Sequence, residues 1–287
     1  MKNYKYPNKK EGILYVVPTP IGNLSDITYR ALSILNSVDI IAAENINRTK
    51  ILIQNYKIIK KIISINKHNE KSKSKKLIIK LKKGINIALV SNAGTPTIND
   101  PGQILINYCY HFKIKIIPLP GPCSAITALS ISGLSTNKFC YEGFLPSKST
   151  MRCKLLHNLR KEQRTIIVFE TPHRIIDSVN DIVQKLGSNR NIVLTKELTK
   201  KWECIRRDTS FNILLWLKSN YIKIKGEITI IIEGYQIDKT DIIPNKALKT
   251  LQILKSHLPL KKAIQITTHL HKISKNLLYK HAMLKKY

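Results

Sequence analysis

The sequence predicts an α/β protein: two α/β domains with a ligand cleft between them, followed by a small C-terminal helical, helix-turn-helix-like module. Three observations predict this fold class. Short apolar segments alternate with segments of helical periodicity, a second series of this kind begins near residue 139, and the C-terminal stretch shows only helical patterns. We expect the domains to span 1–122, 123–236 and 237–287.

The first series contains four segments that read as buried strands, because each is a short run of mostly apolar residues. They are 12–17, 38–44, 86–91 and 113–120. A helix over 27–35 with Asp26 as its N-cap follows the first strand, and 103–112 fits a helix between the last two. This alternation predicts a parallel, doubly wound sheet.

The second series contains four further strand candidates and two helices. The strands are expected at 139–145, 164–170, 191–198 and 226–234. The helices are expected at about 150–162 and 173–186, and 121–134 would be a helical connection between the two domains. No internal repeat is visible.

Three amphipathic segments follow, at 245–256, 258–272 and 275–284. Asn245 and Ser274 are candidate N-caps, and Pro259 is expected in the first turn of the second helix. The predicted inward-facing residues are Ala247, Leu248, Leu251, Leu254, Leu260, Ala263, Ile264, Thr267, Leu270, Leu277, Leu278 and Ala282. Two helices joined by a short turn after a packing helix are typical of a helix-turn-helix.

Composition excludes several classes of protein. No apolar run reaches the roughly 18 residues that span a bilayer, and the basic N-terminus lacks the apolar stretch of a secretory signal. The five cysteines, at 109, 123, 140, 153 and 204, form no CxxC pair, so neither a disulfide framework nor a metal site is predicted. We expect a cytoplasmic protein without a membrane partner.

The formal net charge of +31 points to a polyanionic partner, with nucleic acid preferred over membrane. Two zones concentrate it: 57–83 holds eleven lysines and one acid, and 251–287 holds eight lysines and no acid. A polymer touching the protein at two places fits this distribution. Two alternatives stay open, namely solvated helix faces and lysines accumulated through an AT-rich genome.

Four loops rich in Pro, Gly, Thr and Ser come directly after predicted strands. They lie within 16–26, 88–102, 116–125 and 169–174. Ligands of open α/β sheets bind beyond the carboxyl ends of strands, and small residues let backbone groups reach them. The loops therefore predict one shared ligand cleft.

The expected ligand is not a dinucleotide or a triphosphate. The sequence has neither GxGxxG nor GxxxxGK[ST], and no Lys or Arg occurs between residues 84 and 112. An adenosine-containing ligand without phosphate suits such backbone-lined walls.

Several long motifs follow one another along the chain in the order found in one enzyme family. They are "LYVVPTPIGNLSDITYRAL", "ALVSNAGTPTINDPG", "PLPGPCSAITAL", "FCYEGFLP", "FETPHR" and "KGEITIIIEG". They resemble the bacterial 16S rRNA ribose 2′-O-methyltransferases of the tetrapyrrole methylase superfamily, the class III S-adenosylmethionine (SAM) enzymes. The resemblance runs from Gly12 to the C-terminus. It implies SAM held between two α/β domains, a homodimer, and a cytidine of 16S rRNA in the small ribosomal subunit as substrate.

The resemblance also implies the residues that bind the cofactor. The loop after the 86–91 strand would wrap SAM with its backbone, and two further loops would complete the walls. The implied residues are Ser91, Asn92, Ala93, Gly94, Thr95, Pro96, Gly121, Pro122, Ser124, Ala125, Thr171 and Pro172.

The chain departs from the family pattern at three places. "VSDAGTP" becomes "VSNAGTP" with Asn92, "AEDTR" becomes "AENIN" with Asn45 and Asn47, and "HDHNE" becomes "NKHNE" over 66–70. An amide cannot act as a base near neutral pH, but it keeps the shape and hydrogen bonding of Asp. We interpret the changes as drift with retained activity.

Glu44 is the predicted general base, because it ends a first-domain strand near the expected cleft. Glu170, His173 and Glu197 are the other candidates near strand ends. Alternatively, Glu44 holds a neighbouring loop through an arginine such as Arg48. Arg174 is expected to contact RNA phosphate or to cap a helix. In the C-terminal module, the predicted RNA contacts are Lys261, Lys262, Lys272, Lys275 and Lys280.

Three functions remain open from sequence. The favoured one is an rRNA ribose methyltransferase. The others are a small-molecule methylase acting on a tetrapyrrole, and a non-catalytic RNA-binding assembly factor that lost methylation with Asn45 and Asn92.

Overall fold

The computed structural model describes residues 11–220, 225–236 and 243–284. The N-terminal ten residues and the predicted start of the helical module at 237 lie outside this part. The chain divides into two compact units, Met1–Glu233 and Gly234–Tyr287. The predicted α/β domains, 1–122 and 123–236, fall in the first unit except for residues 234–236. Their boundary at 122/123 stays a prediction.

The first sheet has five parallel strands in the order β3-β2-β4-β1-β5. The strands are β1 Leu14–Val16, β2 Ile40–Ala43, β3 Lys61–Ser64, β4 Ile87–Val90 and β5 Ile116–Pro118. The helices between and after them are α1 Tyr29–Ser37, α2 Ile46–Asn55, α3 Glu70–Lys82, α4 Gln103–His111 and α5 Ser124–Ser130. The expected parallel, doubly wound sheet is therefore confirmed here.

The central strand β4 shows why these segments read as continuous apolar runs. Ile87 and Leu89 pack on the side that holds α3 and α4, whereas Ala88 and Val90 pack on the side of α1 and α2. Because helices cover both faces, every residue of the strand is buried.

The second sheet is mixed, in the order β6-β7-β10-β8-β9. Its strands are β6 Phe139–Phe144, β7 Thr165–Glu170, β8 Asn191–Lys196, β9 Cys204–Thr209 and β10 Ile228–Ile232, with helices α6 Ser149–Asn158, α7 Ile175–Leu186 and α8 Ser210–Ser219. Only β6 and β7 pair in parallel, since β10 runs antiparallel between β7 and β8. Helices α6 to α8 cover one face and α5 covers the other.

The predicted start and N-cap of helix α1 are wrong. Helix α1 begins at Tyr29, later than expected, so its N-cap is Thr28, whose Oγ1 accepts from the Ala31 N–H at 3.0 Å. Asp26 instead closes the short 3₁₀ turn Leu24–Asp26.

The second unit contains α9 Asn245–Lys255, α10 Leu260–His271 and α11 Lys275–Leu284. Asn245 is the first helical residue and not the cap, because the extended Pro244 precedes it; Pro259 likewise stands at the N-cap of α10. Leu270 was expected inside but is 66% exposed. The inner face of α10 passes through His271, whose Nε2 lies 2.9 Å from Thr250 Oγ1 on α9.

Candidate active site

Strand ends from both sheets line one cleft of about 270 Å³. The first sheet contributes Glu44 at the end of β2, the loop after β4, and the residues at the start of α5. The second sheet contributes Phe144, residues 169–171 and residues 226–229. Antiparallel pairing of β10 with β7 places Ile228 beside Glu170, so the start of β10 meets the end of β7 at this cleft.

A side pocket of about 240 Å³ adjoins the cleft and reaches toward α2 and the loop after β1. The two cavities share the lining residues Ile21, Arg48, Asn92, Ala93 and Glu227. A ligand longer than the cleft could therefore extend into the side pocket.

The loop after β4 is held in shape by its own hydrogen bonds. The Ser91 hydroxyl donates to the Gly94 carbonyl at 3.1 Å, and Gly94 and Thr19 exchange two backbone hydrogen bonds of 2.9 Å. Gly94 has φ +77°, a conformation that favours glycine. Thr95 Oγ1 donates to the Pro122 carbonyl at 2.9 Å, which ties this loop to the one after β5.

Four carboxylates line the cleft, although the protein as a whole is strongly basic. Glu170 pairs with Arg174 at 2.8 Å. Glu227 pairs with Lys200 at 3.1 Å, and the same ammonium also pairs with Glu197 at 2.8 Å. Within the part of the chain that the structure describes, Glu44 and Asp100 form no ion pair within 4 Å. These two carboxylates therefore lack an ion-pair partner in the cleft, which Arg48 also lines.

Burial raises the pKa of the Asp100 carboxyl from 3.8 to about 6, and the negative charge of Glu44 contributes to the increase. Glu44 itself accepts a hydrogen bond from the Asn92 backbone N–H, with its Oε2 at 3.2 Å. Glu44 thus contacts the loop after β4 through a backbone N–H, and no ion pair with Arg48 is present among the described residues. A carboxyl with a pKa of about 6 is suited to exchange a proton near neutral pH.

The two substituted asparagines have different surroundings. Asn45 is the N-cap of α2, and its Oδ1 accepts from the N–H groups of Asn47 and Arg48 at 3.0 and 3.2 Å. An aspartate would make the same bonds. Asn92 lines the cleft, and its Oδ1 is buried with no hydrogen-bond partner among the described residues. That oxygen is available to a donor on a ligand.

The predicted cofactor residues divide into two groups. Those that line the cleft or the side pocket are Ser91, Asn92, Ala93, Gly94, Thr95, Ser124 and Thr171. Those that lie outside both linings are Pro96, Gly121, Pro122, Ala125 and Pro172. Ala125 packs into the core between α5 and the second sheet, and a Cβ on Gly121 would come within 2.6 Å of Pro18. Ala125 and Gly121 therefore pack behind the residues that line the cleft and hold them in place.

The other candidate bases near strand ends either form ion pairs or lie outside the cleft lining. Glu170 is buried and bound by Arg174 and Ser178, so both its oxygens are occupied and the Arg174 guanidinium is largely committed to it. Glu197 accepts from Lys200 at 2.8 Å. His173 is exposed and lines neither cavity.

In the second unit, all five predicted RNA-contacting lysines are exposed. They flank a core built from Leu251, Ala263, Ile264, Leu278 and Ala282. Lys272 sits between α10 and α11 with a left-handed backbone that ends α10.

Three residues of the cleft were not named individually as site candidates. Asp100 lies within the loop 88–102 that was predicted to line the cleft, but only the residues up to Pro96 were assigned to the ligand. Phe169 likewise begins the predicted cleft loop 169–174. Glu227 gave no signal, because it reaches the cleft only through the antiparallel insertion of β10.

No helix in the described ranges is long and apolar enough to cross a membrane. In the same ranges, no group of three or more His, Cys, Asp or Glu side chains is arranged to hold a metal ion.

Comparison with known proteins gives one consistent result. Residues 13–213 match the family model of tetrapyrrole (corrin/porphyrin) methylases. The chain is 60% identical, over 96% of its length and 94% of the relative, to ribosomal RNA small subunit methyltransferase I of Buchnera aphidicola subsp. Baizongia pistaciae. Its identity to the protein of the same name from Escherichia coli O157:H7 is 48%, over 99% of each chain.

Solved structures with low sequence identity share the fold. Cobalt precorrin-4 methyltransferase superimposes with a TM-score of 0.58 at 16% identity, covering 77% of this chain and 94% of that one. Uroporphyrin-III C-methyltransferase of Thermus thermophilus, complexed with S-adenosylhomocysteine, gives 0.55 at 13% identity, covering 77% and 97%.

Proposed function

The chain belongs to the tetrapyrrole methylase family, and we propose from this that it transfers a methyl group from SAM to the ribose 2′-hydroxyl of a cytidine in 16S rRNA of the small ribosomal subunit. The observation that carries the proposal is the identity over nearly the whole chain with relatives named ribosomal RNA small subunit methyltransferase I. The family model alone is also compatible with tetrapyrrole substrates. The full-length relatives favour the RNA substrate.

The cleft has the features that SAM requires. When bound, SAM supplies an electrophilic methyl group carried on a positively charged sulfur. The two carboxylates without ion pairs, Glu44 and Asp100, favour a cation in the cleft. The unpartnered Asn92 Oδ1 offers an acceptor, and the 91–95 loop brings backbone groups to the wall. Phe144 and Phe169, whose ring centroids lie 5.4 Å apart, give an apolar side.

We assign the cofactor to the predicted loop residues 91–96, 121–125 and 171–172. Of these, the residues of the lining contact the ligand, and the others hold the loops in place. The hydrogen bond from Thr95 to Pro122 keeps two of these loops together.

Alignment of the hydroxyl with the methyl group does most of the catalytic work, and a base adds roughly 10²–10⁴-fold. Glu44 was predicted as that base. We propose that the ribose proton passes to the Glu44–Asp100 pair, with Asp100 as the acceptor and Glu44 adjusting its pKa. Burial leaves Asp100 with a pKa of about 6, close to the pH at which a base is most effective.

The C-terminal unit is proposed to grip RNA through its exposed lysines. We also propose a cytoplasmic homodimer, on the basis of the resemblance to the family. Sedimentation of the purified protein at several concentrations tests the dimer.

Methyl incorporation from radiolabelled SAM tests the function. Small subunits from cells lacking the modification should accept label, and subunits already modified should not. Failure to label the unmodified subunits would contradict the proposal.

A further inference from the structure

A groove of about 520 Å³ lies between α3 and α4, on the outer surface of the first sheet and separate from the catalytic cleft. Its lining includes Lys75, Ile78, Ile79, Lys82, Tyr108 and Phe112. Neither the cofactor nor the proposed chemistry uses these residues.

The floor of the groove is apolar and partly aromatic. Ile79 is 56% exposed and Phe112 is 38% exposed. His111 lies against Phe112 edge-on, with ring centroids 4.7 Å apart. Flat rings open to solvent are suited to stacking planar groups.

The surroundings of the groove are positively charged without compensation. Helices α3 and α4 carry a single acid, Glu70. Glu70 is buried, and its Oε1 accepts from the Gly102 and Ile104 N–H groups at 2.8 Å each. The lysines of α3 therefore face solvent with no acid beside them on either helix.

Charge and rings occur together at the groove. Lys82 Nζ lies 3.8 Å from the centroid of the Phe112 ring. The ammonium thus covers one face of this ring, and a base that stacks on that face takes its place while Lys82 turns to the phosphate. A cation and an aromatic ring side by side are the combination that binds single-stranded nucleic acid.

We propose that the α3–α4 groove binds an unpaired segment of RNA, with one base stacked against Phe112 and the flanking phosphates on Lys75 and Lys82. This rests on the proposed function for the identity of the RNA, the small-subunit rRNA. A second copy of the chain fits poorly, because two such faces would bring uncompensated lysines together.

Fluorescence anisotropy tests the groove with the full-length protein and a labelled 12-mer of oligocytidylate. Phe112→Ala should weaken binding by about 5- to 150-fold, the loss expected for one stacked base. Tyr110→Ala is the matched control, because Tyr110 is an exposed ring on α4 outside the groove. It should bind as the unaltered protein does. Equal affinities for the two variants would overturn the proposal.

A probe without bases separates stacking from charge. An abasic chain of the same length should bind Phe112→Ala and the unaltered protein equally. The double variant Lys75→Ala with Lys82→Ala should lower the slope of log affinity against log salt by about 1.4, or about 0.7 for each phosphate. The control is the double variant Lys71→Ala with Lys76→Ala, because both lysines are exposed and lie outside the groove. It should leave the slope of log affinity against log salt unchanged. Weaker binding of the abasic chain by Phe112→Ala would contradict stacking.

Two further measurements distinguish other outcomes. If Phe112→Ala converts a dimer to a monomer in sedimentation, the groove is a subunit interface and the proposal is wrong. Methylation of small subunits by the unaltered protein is scored separately. If the unaltered protein methylates small subunits but Phe112→Ala does not change RNA binding, only the groove proposal is rejected. If Phe112→Ala weakens RNA binding but the unaltered protein does not methylate small subunits, only the proposed function is rejected.

Discussion

At the scale of single residues, the cleft depends on two carboxyl groups that lack ion pairs. Replacing Asp100 by Asn should lower methyl transfer by about 10²–10⁴-fold, because it removes the proposed base. In the unaltered protein the rate should rise with pH, with a midpoint at about 6 and a plateau about one pH unit higher, since the ionised form of Asp100 is required. Rates measured from pH 5 to 8 with saturating SAM and small subunits check both expectations.

Glu44→Gln provides the matched comparison. It removes the negative charge that raises the pKa of Asp100, so the midpoint of the pH profile should move downward while activity remains. Loss of activity comparable to that of Asp100→Asn would instead identify Glu44 as the base.

Asn92→Asp restores the residue found in the family. Because a carboxylate oxygen accepts hydrogen bonds as the amide oxygen does, SAM affinity should be similar or tighter. The added charge should also move the midpoint of the pH profile upward. Titration calorimetry gives the affinity, and abolished SAM binding would show that this cleft is built around a neutral side chain.

The sequence indicated which loop surrounds the ligand, but it did not indicate the pKa values of the carboxyl groups in the cleft. Residues 91–95 stood out because a glycine- and proline-rich loop follows an apolar strand. The raised pKa of Asp100 arises from burial and from Glu44, which is 56 positions away in the chain. A local sequence pattern cannot indicate that two residues so far apart in the chain lie close together.

At the scale of elements, the loop after β4 is the part of the first sheet that the ligand needs. Gly94→Val should abolish SAM binding, because a branched side chain strains a backbone at φ +77° and crowds Ile21, which would lie 3.3 Å from the new Cβ. Gly187→Val is the control, since Gly187 also has positive φ and open space around it. Calorimetry should show that only Gly94→Val fails to bind SAM, with both variants folded by circular dichroism.

The strands that sequence analysis missed are both edge strands. Lys61–Ser64 and Cys204–Thr209 lie at the outer positions of their sheets. Cys204–Thr209 has three consecutive charged residues, Arg206 to Asp208, as edge strands often do, and so lacks the apolar run that marks a central strand. Lys61–Ser64 has a short apolar pair, but it lies inside the lysine-rich zone 57–83 that was interpreted as a charged surface. The antiparallel insertion of Ile228–Ile232 was equally hidden, because strand direction leaves no trace in composition.

At the scale of the whole molecule, the charge is concentrated where RNA is proposed to bind. Deleting 244–287 should weaken rRNA binding. It should also lower the slope of log affinity against log salt by about 0.7 to 0.9 for each phosphate that the truncated protein no longer neutralises. SAM binding should persist, because the cleft lies wholly within the first compact unit. A truncated protein that binds the small subunit with an unchanged salt slope would show that this unit does not grip RNA.

The most direct test is mass spectrometry of 16S rRNA fragments after small subunits lacking the modification are incubated with the protein and SAM. We expect a single cytidine to gain one methyl group on its ribose, and Asp100→Asn to leave that fragment largely unmodified under the same conditions. A methyl group on a base, or no methylated fragment from subunits that a related enzyme can modify, would contradict ribose methylation by this protein.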